Sequence, residues 1–163
     1  MNLRIAMLLI AAMIATAVWA GDPRKPYNPK ADARLQVSEA VKVAAAENKH
    51  VLIQVGGNWC SWCLKLNNLY LTDKAVGEAL NSNYVLVHLH TSKEGENGDI
   101  LAELGHPQRF GYPVLVVLDA KGNRIHTQNS VYLEKGEGHD PKKVIGFLND
   151  WAPKALKPPS NKG

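Results

Sequence analysis

The chain has 163 residues, a formal net charge of +4, 45% hydrophobic residues and two cysteines. The lysines are dispersed, with a thin cluster only at Lys142-Lys143 and in the tail, which is not the basic stripe that tracks a nucleic-acid backbone. Two cysteines are too few for a scaffold built from disulfides, so the fold has to stand on a hydrophobic core.

Arg4 places one positive charge ahead of an apolar run from Ile5 to Val18, which gives way to Trp19-Ala20 and the polar Gly21-Asp22-Pro23. A short apolar run behind a positive charge, with Val18 and Ala20 where a signal peptidase inspects the chain, reads as a secretory signal peptide. The run falls short of the roughly 20 residues that a membrane-spanning helix needs. Residues 1–20 are therefore expected to be removed after Ala20, leaving a periplasmic or secreted protein with no stable membrane anchor. What remains suffices for one domain and not for two ordinary ones.

Residues 21–34, rich in Pro, Lys and Asn, read as an extended lead-in, and residues 153–163 as a disordered tail. The domain proper is expected over 35–152. Ser38 is placed to cap a helix running to about Asn48, with Val37, Ala40, Val41, Ala44 and Ala45 on its apolar side. His50 to Val55 is a β-branched, nearly continuous apolar run that suits a strand covered on both faces. A helix from near Cys60 to Thr72 follows, with Cys63, Leu66 and Tyr70 at helical spacing, and Asp73 can cap a short helix through Leu80. Tyr84 to His90 is the next strand. After a polar loop comes a helical turn or two over Asp99 to Leu104, then a strand from Val114 to Leu118 behind Gly111-Tyr112-Pro113. Asp119 to Asn123 is a turn, Arg124 to Gln128 pairs back as a hairpin, and Asp140-Pro141 opens a last helix to about Trp151. This order predicts a mixed sheet with helices on both faces.

The two cysteines stand in Trp59-Cys60-Ser61-Trp62-Cys63, at the junction of the first strand and the second helix. There the unpaired amides and the positive end of the helix dipole favour a thiolate at Cys60, while Cys63 lies about one turn further on. As a structural staple the pair would contribute little: a closed loop of about four residues is worth around 2 kcal/mol, against about 4.7 for a loop of about 100. A zinc site would need two more ligands, for which only histidines such as His88 and His90 are on hand. A reactive dithiol is the reading that uses the position of the pair.

Gly57-Asn58-Trp59-Cys60-Ser61-Trp62-Cys63, the stretches Asp73 to Val76 and Leu80 to Val85, and Gly111-Tyr112-Pro113 ahead of Val114-Leu115-Val116 together resemble the thioredoxin superfamily, in particular its exported Trp-Cys-X-Trp-Cys branch. The resemblance spans about Leu35 to Trp151. It implies a thioredoxin-like three-layer α/β/α sandwich around a central mixed sheet, and an exported thiol-disulfide oxidoreductase. Cys60 would be the nucleophile, Cys63 the resolving thiol, and Pro113 a cis proline facing the disulfide. Trp59, Trp62 and Tyr112 would line the surface that meets a substrate chain, although one of the two tryptophans is expected in the core. The chemistry asks for no metal or organic cofactor. Its partners would be protein thiols and disulfides and a redox partner protein, either membrane-bound machinery or another thioredoxin-like protein, with the chain itself a monomer. The rival implication is a binding module of the same fold whose disulfide stays formed.

The sequence departs from the thioredoxin pattern at Gln54, where the buried aspartate six residues ahead of the first cysteine would stand, at Ser61-Trp62 between the cysteines, and at Asn68 in place of the helix proline. Gln54 cannot ionise, and reads as satisfying a buried hydrogen bond or holding a water. His88 and His90, near the end of what reads as a central strand, either tune Cys60 or mark the strand's exposed end. Lys65 either supports a thiolate or faces water.

Overall fold

A computed structural model describes residues 22–92 and 94–157. The proposed signal segment, residues 1–20, and the end of the tail lie outside the described residues. Five helices flank a four-stranded sheet: α1 (Ala33–Glu47), β1 (His50–Gly56), α2 (Ser61–Thr72), α3 (Lys74–Asn83), β2 (Tyr84–His90), α4 (Gly98–Glu103), β3 (Val114–Leu118), β4 (Arg124–Asn129) and α5 (Pro141–Asp150). Short 3-10 turns at Pro107–Phe110 and Ser130–Leu133 and a small hairpin, β5 (Glu134–Lys135) with β6 (Gly138–His139), complete it.

The sheet runs in the order β2-β1-β3-β4, with β1 parallel to β2 and antiparallel to β3, and β3 antiparallel to β4. Every residue of β1 and β3 is buried, as their unbroken apolar runs require of strands covered on both faces. Alternation along β1 divides the core. Val51, Ile53 and Val55 pack with Ala40 and Ala44 of α1 and Ile100 and Leu101 of α4. Leu52 faces the other way, onto Leu66 and Tyr70 of α2, Val76 and Leu80 of α3, and Val144, Phe147 and Leu148 of α5. This is the three-layer α/β/α architecture with a mixed sheet that the element order predicts.

Three features differ from the sequence expectation. The first helix begins at Ala33 rather than near Ser38, because the Asp32 carboxylate accepts the Leu35 amide at 2.9 Å and Ala33 continues the Ala40–Ala44 stripe into the core. β2 is an outer strand and not a central one, since β3 takes the place on the other side of β1. The β5–β6 hairpin is absent from the expectation; strands of two residues carry no legible period.

Asp73 closes α2 and opens α3. Its own amide donates to the Leu69 carbonyl, and its side chain accepts the Val76 amide at 3.0 Å. Replacing Asp73 with Ala is expected to cost about 1 kcal/mol of stability, the usual value of an N-cap, read as a lower midpoint in urea denaturation with an unchanged slope.

A candidate redox site at the end of the first strand

The central strand β1 ends at Gly56, and four residues later Cys60 stands at the N-cap of α2 in extended conformation. Its Sγ accepts the backbone N–H of Cys63 at 3.1 Å, so a sulfur takes the place that a serine or aspartate oxygen usually fills. Cys60 and Cys63 form a disulfide, with their Cα atoms 5.2 Å apart. Cys63 is fully buried, and Cys60 retains 7% of its surface. Of the two cysteines, the one at the head of the helix is the one that keeps any exposed surface.

Trp59 is 41% exposed, and its indole N–H donates to the Thr91 carbonyl at 2.8 Å. A Cβ at Gly57 would lie 2.2 Å from that indole nitrogen, so glycine is what lets Trp59 fold back over its own loop. The ring meets Tyr112 edge to face at 5.3 Å, and Tyr112 packs in turn on the cysteine cluster. The Tyr112-Pro113 peptide is cis, and Pro113 is buried. Trp62, on the first turn of α2, is half-buried against the β5–β6 hairpin, edge to face with His139 at 5.5 Å. Neither tryptophan is in the core, contrary to the expectation for one of them. Both are held at the surface by ring contacts that the hairpin and the Tyr112 loop supply.

Lys65 is drawn away from the sulfurs. Its ammonium lies over the Trp62 ring at 4.7 Å and donates to the Glu137 carbonyl. His90 pairs with Glu96 at 3.1 Å. Among the described residues, no group of three or more His, Cys, Asp and Glu side chains gathers where a metal ion would sit.

Behind the disulfide lies a polar cluster that the sequence reading only half located. Gln54 is fully buried; its Nε2 donates to the Tyr27 hydroxyl at 2.6 Å and to the Cys63 carbonyl at 3.1 Å, while its Oε1 has no hydrogen-bond partner. Tyr27 belongs to the lead-in, read from sequence as an extended stretch without a role. It is 2% exposed, packs on both cysteines, and meets His88 edge to face at 5.1 Å. The lead-in is tied down where it passes the site: the Tyr27 amide donates to Asn58 Oδ1 at 3.2 Å, Asn58 Nδ2 donates to the Tyr27 carbonyl at 2.7 Å, and Asn67 Nδ2 donates to the Pro23 carbonyl at 2.9 Å. The available signal was an aromatic residue set in Pro26-Tyr27-Asn28-Pro29, where a purely extended segment has no use for one. His88, aligned with Gln54 across the parallel pair, is largely buried rather than marking an exposed strand end.

Comparison with known proteins agrees with this geometry. A family model described as thioredoxin-like matches residues 32–120, more than half of the chain, and the chain belongs to that family. It is 30% identical over 139 residues to the thiol:disulfide interchange protein DsbD of Ralstonia nicotianae, covering 85% of this chain and 20% of that protein. It is 28% identical over 152 residues to the DsbD of Yersinia enterocolitica, covering 88% of this chain and 23% of the relative. The chain thus spans about a fifth of the length of these curated relatives. The crystal structure of a disulphide isomerase from Xylella fastidiosa Temecula1 superposes with a TM-score of 0.68 at 23% identity, covering 77% of this chain and 95% of that one, and shares the fold.

Burial pushes the His88 and His139 imidazoles down to about 4. Unfolded, each takes up a proton near its ordinary value of about 6.5. Between those two values the unfolded chain binds more protons than the folded one, so stability falls as pH is lowered through that window and the loss levels out below about 4. Urea denaturation from pH 7 to 4 is expected to trace this decline. His88→Gln should remove about half of the slope, because the two imidazoles are shifted alike.

Proposed function

We propose that this member of the thioredoxin-like family is an exported thiol-disulfide oxidoreductase, exchanging disulfides with protein substrates or redox partners through Cys60 and Cys63. The observation that carries the reading is the bond from the Cys63 amide to the Cys60 sulfur at the head of α2. In the reduced protein the same amide and the positive end of the helix dipole stabilise a Cys60 thiolate, the form that attacks. The names of the DsbD relatives support the same chemistry.

The proposed exchange runs as follows. The Cys60 thiolate attacks one sulfur of a substrate disulfide; the other substrate sulfur leaves with the electron pair, and a mixed disulfide forms. Cys63 then loses its proton and attacks Cys60, the bond to substrate breaks, and the substrate departs as a dithiol. Run in reverse, the same steps oxidise a dithiol. Trp62 and Tyr112 pack on the cysteine cluster and Trp59 meets Tyr112; together with Pro113 they are the residues assigned to substrate contact, with the backbone beside Pro113 offered to an extended segment in the manner of strand addition. Export rests on the charge and apolar pattern of residues 1–20.

The test is a graded glutathione buffer with mass-tagged alkylation of free thiols. The pair is expected to titrate well above roughly −300 mV, the level below which structural disulfides usually lie. Cys60→Ser is expected to abolish disulfide exchange, and Cys63→Ser to accumulate the mixed disulfide. A pair that stays oxidised throughout, in a protein without exchange activity, would instead identify a binding module.

A further inference from the structure

The second half of that exchange requires Cys63 to become a thiolate while fully buried, and burial alone raises the pKa of a thiol. The side chain bonded to the Cys63 carbonyl from β1 is Gln54, which neither takes nor gives up a proton. Both hydrogens of its amide are committed, one to the Cys63 carbonyl and one to the Tyr27 hydroxyl. Tyr27 is therefore the acceptor in its bond with Gln54, and its own O–H must point elsewhere.

The geometry at Gly56 indicates where. A Cβ built on Gly56 would lie 2.5 Å from Cys63 Sγ and 3.1 Å from the Tyr27 hydroxyl. The two atoms flank one small volume that only glycine leaves empty, and Tyr27 is too buried for water to compete for its proton. In the disulfide the sulfur is uncharged and a weak acceptor; as a thiolate it becomes a strong one.

We infer that, once the disulfide opens, the Tyr27 hydroxyl donates a hydrogen bond to the Cys63 sulfur and stabilises its thiolate, doing with a neutral donor what an ionisable carboxyl does elsewhere. The inference rests on Cys60 and Cys63 being an exchanging pair. Burial pushes the pKa of the Tyr27 phenol well above its ordinary value, so at physiological pH it keeps its proton and acts as a donor, not a base. The other titratable groups around it are His88 from β2, neutral above about 4, Tyr70 from α2, raised well above its ordinary value by burial, Tyr112 from the loop before β3, and Cys60 itself. In the step assisted, Cys63 gives up its proton, its sulfur bonds to Cys60 Sγ, and the Cys60–substrate bond breaks. The substrate sulfur leaves with that bond's electron pair and takes up one proton, so protons and electrons balance.

Ellman's reagent separates the two sulfurs in the reduced protein: the first thionitrobenzoate released reports attack by Cys60, the second attack by Cys63. A hydrogen bond to a charged group accounts for a shift of about one pH unit, or about tenfold. Tyr27→Phe is expected to slow the second release by that factor and leave the first nearly unchanged. In parallel, the Cβ chemical shift of 13C-labelled Cys63 should titrate about one unit higher in the variant. Placing 3-fluorotyrosine at position 27, which preserves the shape and strengthens the donor, should lower that midpoint, and it carries the test should Tyr27→Phe fail to fold. An unchanged Cys63 midpoint in both proteins overturns the inference. A wild-type protein whose Cys63 midpoint responds as expected, but which exchanges no protein disulfides, overturns the oxidoreductase reading and leaves the Tyr27 bond standing.

Discussion

The site depends on one hydrogen bond, from the Cys63 amide to the Cys60 sulfur, and on what brings that sulfur to the head of a helix. An α-helix leaves its first amides without intrahelical partners, and here one of them is spent on sulfur. That arrangement holds only if the preceding strand stops at a fixed place. β1 is paired along its length, with β2 on one side and β3 on the other, so its end at Gly56 cannot slip without moving every apolar side chain to the wrong face. The Thr91 amide adds a further bond to the Gly56 carbonyl at 2.7 Å. Core packing, by way of register, thus sets where the Cys60 sulfur sits.

Beneath the sulfurs the protein accepts a cost that a core normally avoids. Gln54 Oε1 and His88 Nε2 are buried without partners, and each such atom loses the hydrogen bonds that water would supply. An apolar residue at position 54 would avoid that cost, but would leave the Tyr27 hydroxyl without orientation. The strap that carries Tyr27 is held mainly by side-chain amides, Asn58 and Asn67, bonded to backbone, so its position is set by polar geometry more than by apolar area. Gln54 and His88 face each other across the β1–β2 pair, so this cost is met beside the one disulfide among the described residues, as it is also met at Tyr70, His90, Gln108 and His139.

Most of the scaffold was legible in the sequence, because its elements obey simple periods. β1, β2 and β3 are runs of β-branched and apolar residues, Asp73 and Asp140 are caps that the structure uses as such, and β4 follows a turn of Asp, Gly and Asn. The cysteine pair and Tyr112-Pro113 were found because sequence motifs encode them locally. What escaped is non-local. Whether β2 lies at the edge or the centre depends on where β3 inserts, and no residue of β2 records it. Tyr27 reaches Gln54 across 27 positions, and His139 reaches Trp62 by way of a hairpin of two-residue strands. Lys65 looked available to a thiolate from its helical position, and only the hairpin beside it explains why it turns to Trp62 and Glu137 instead.

The surface around Cys60 follows from the same asymmetry. On one side Trp59 and Tyr112 meet edge to face, pinned by the Thr91 carbonyl and the cis peptide. On the other, Trp62 leans on His139 with the Lys65 ammonium above its ring, a wall that exists because β5 and β6 fold back onto α2. Cys60 keeps 7% of its surface exposed beside these walls, so in the proposed exchange a partner sulfur would approach it past aromatic rings. In the proposed exchange the helix end sets how readily the sulfur attacks, and the aromatic rims set what it attacks. The two properties sit on separate elements, so a rim substitution can alter partner choice while the Cys63–Cys60 hydrogen bond stays in place.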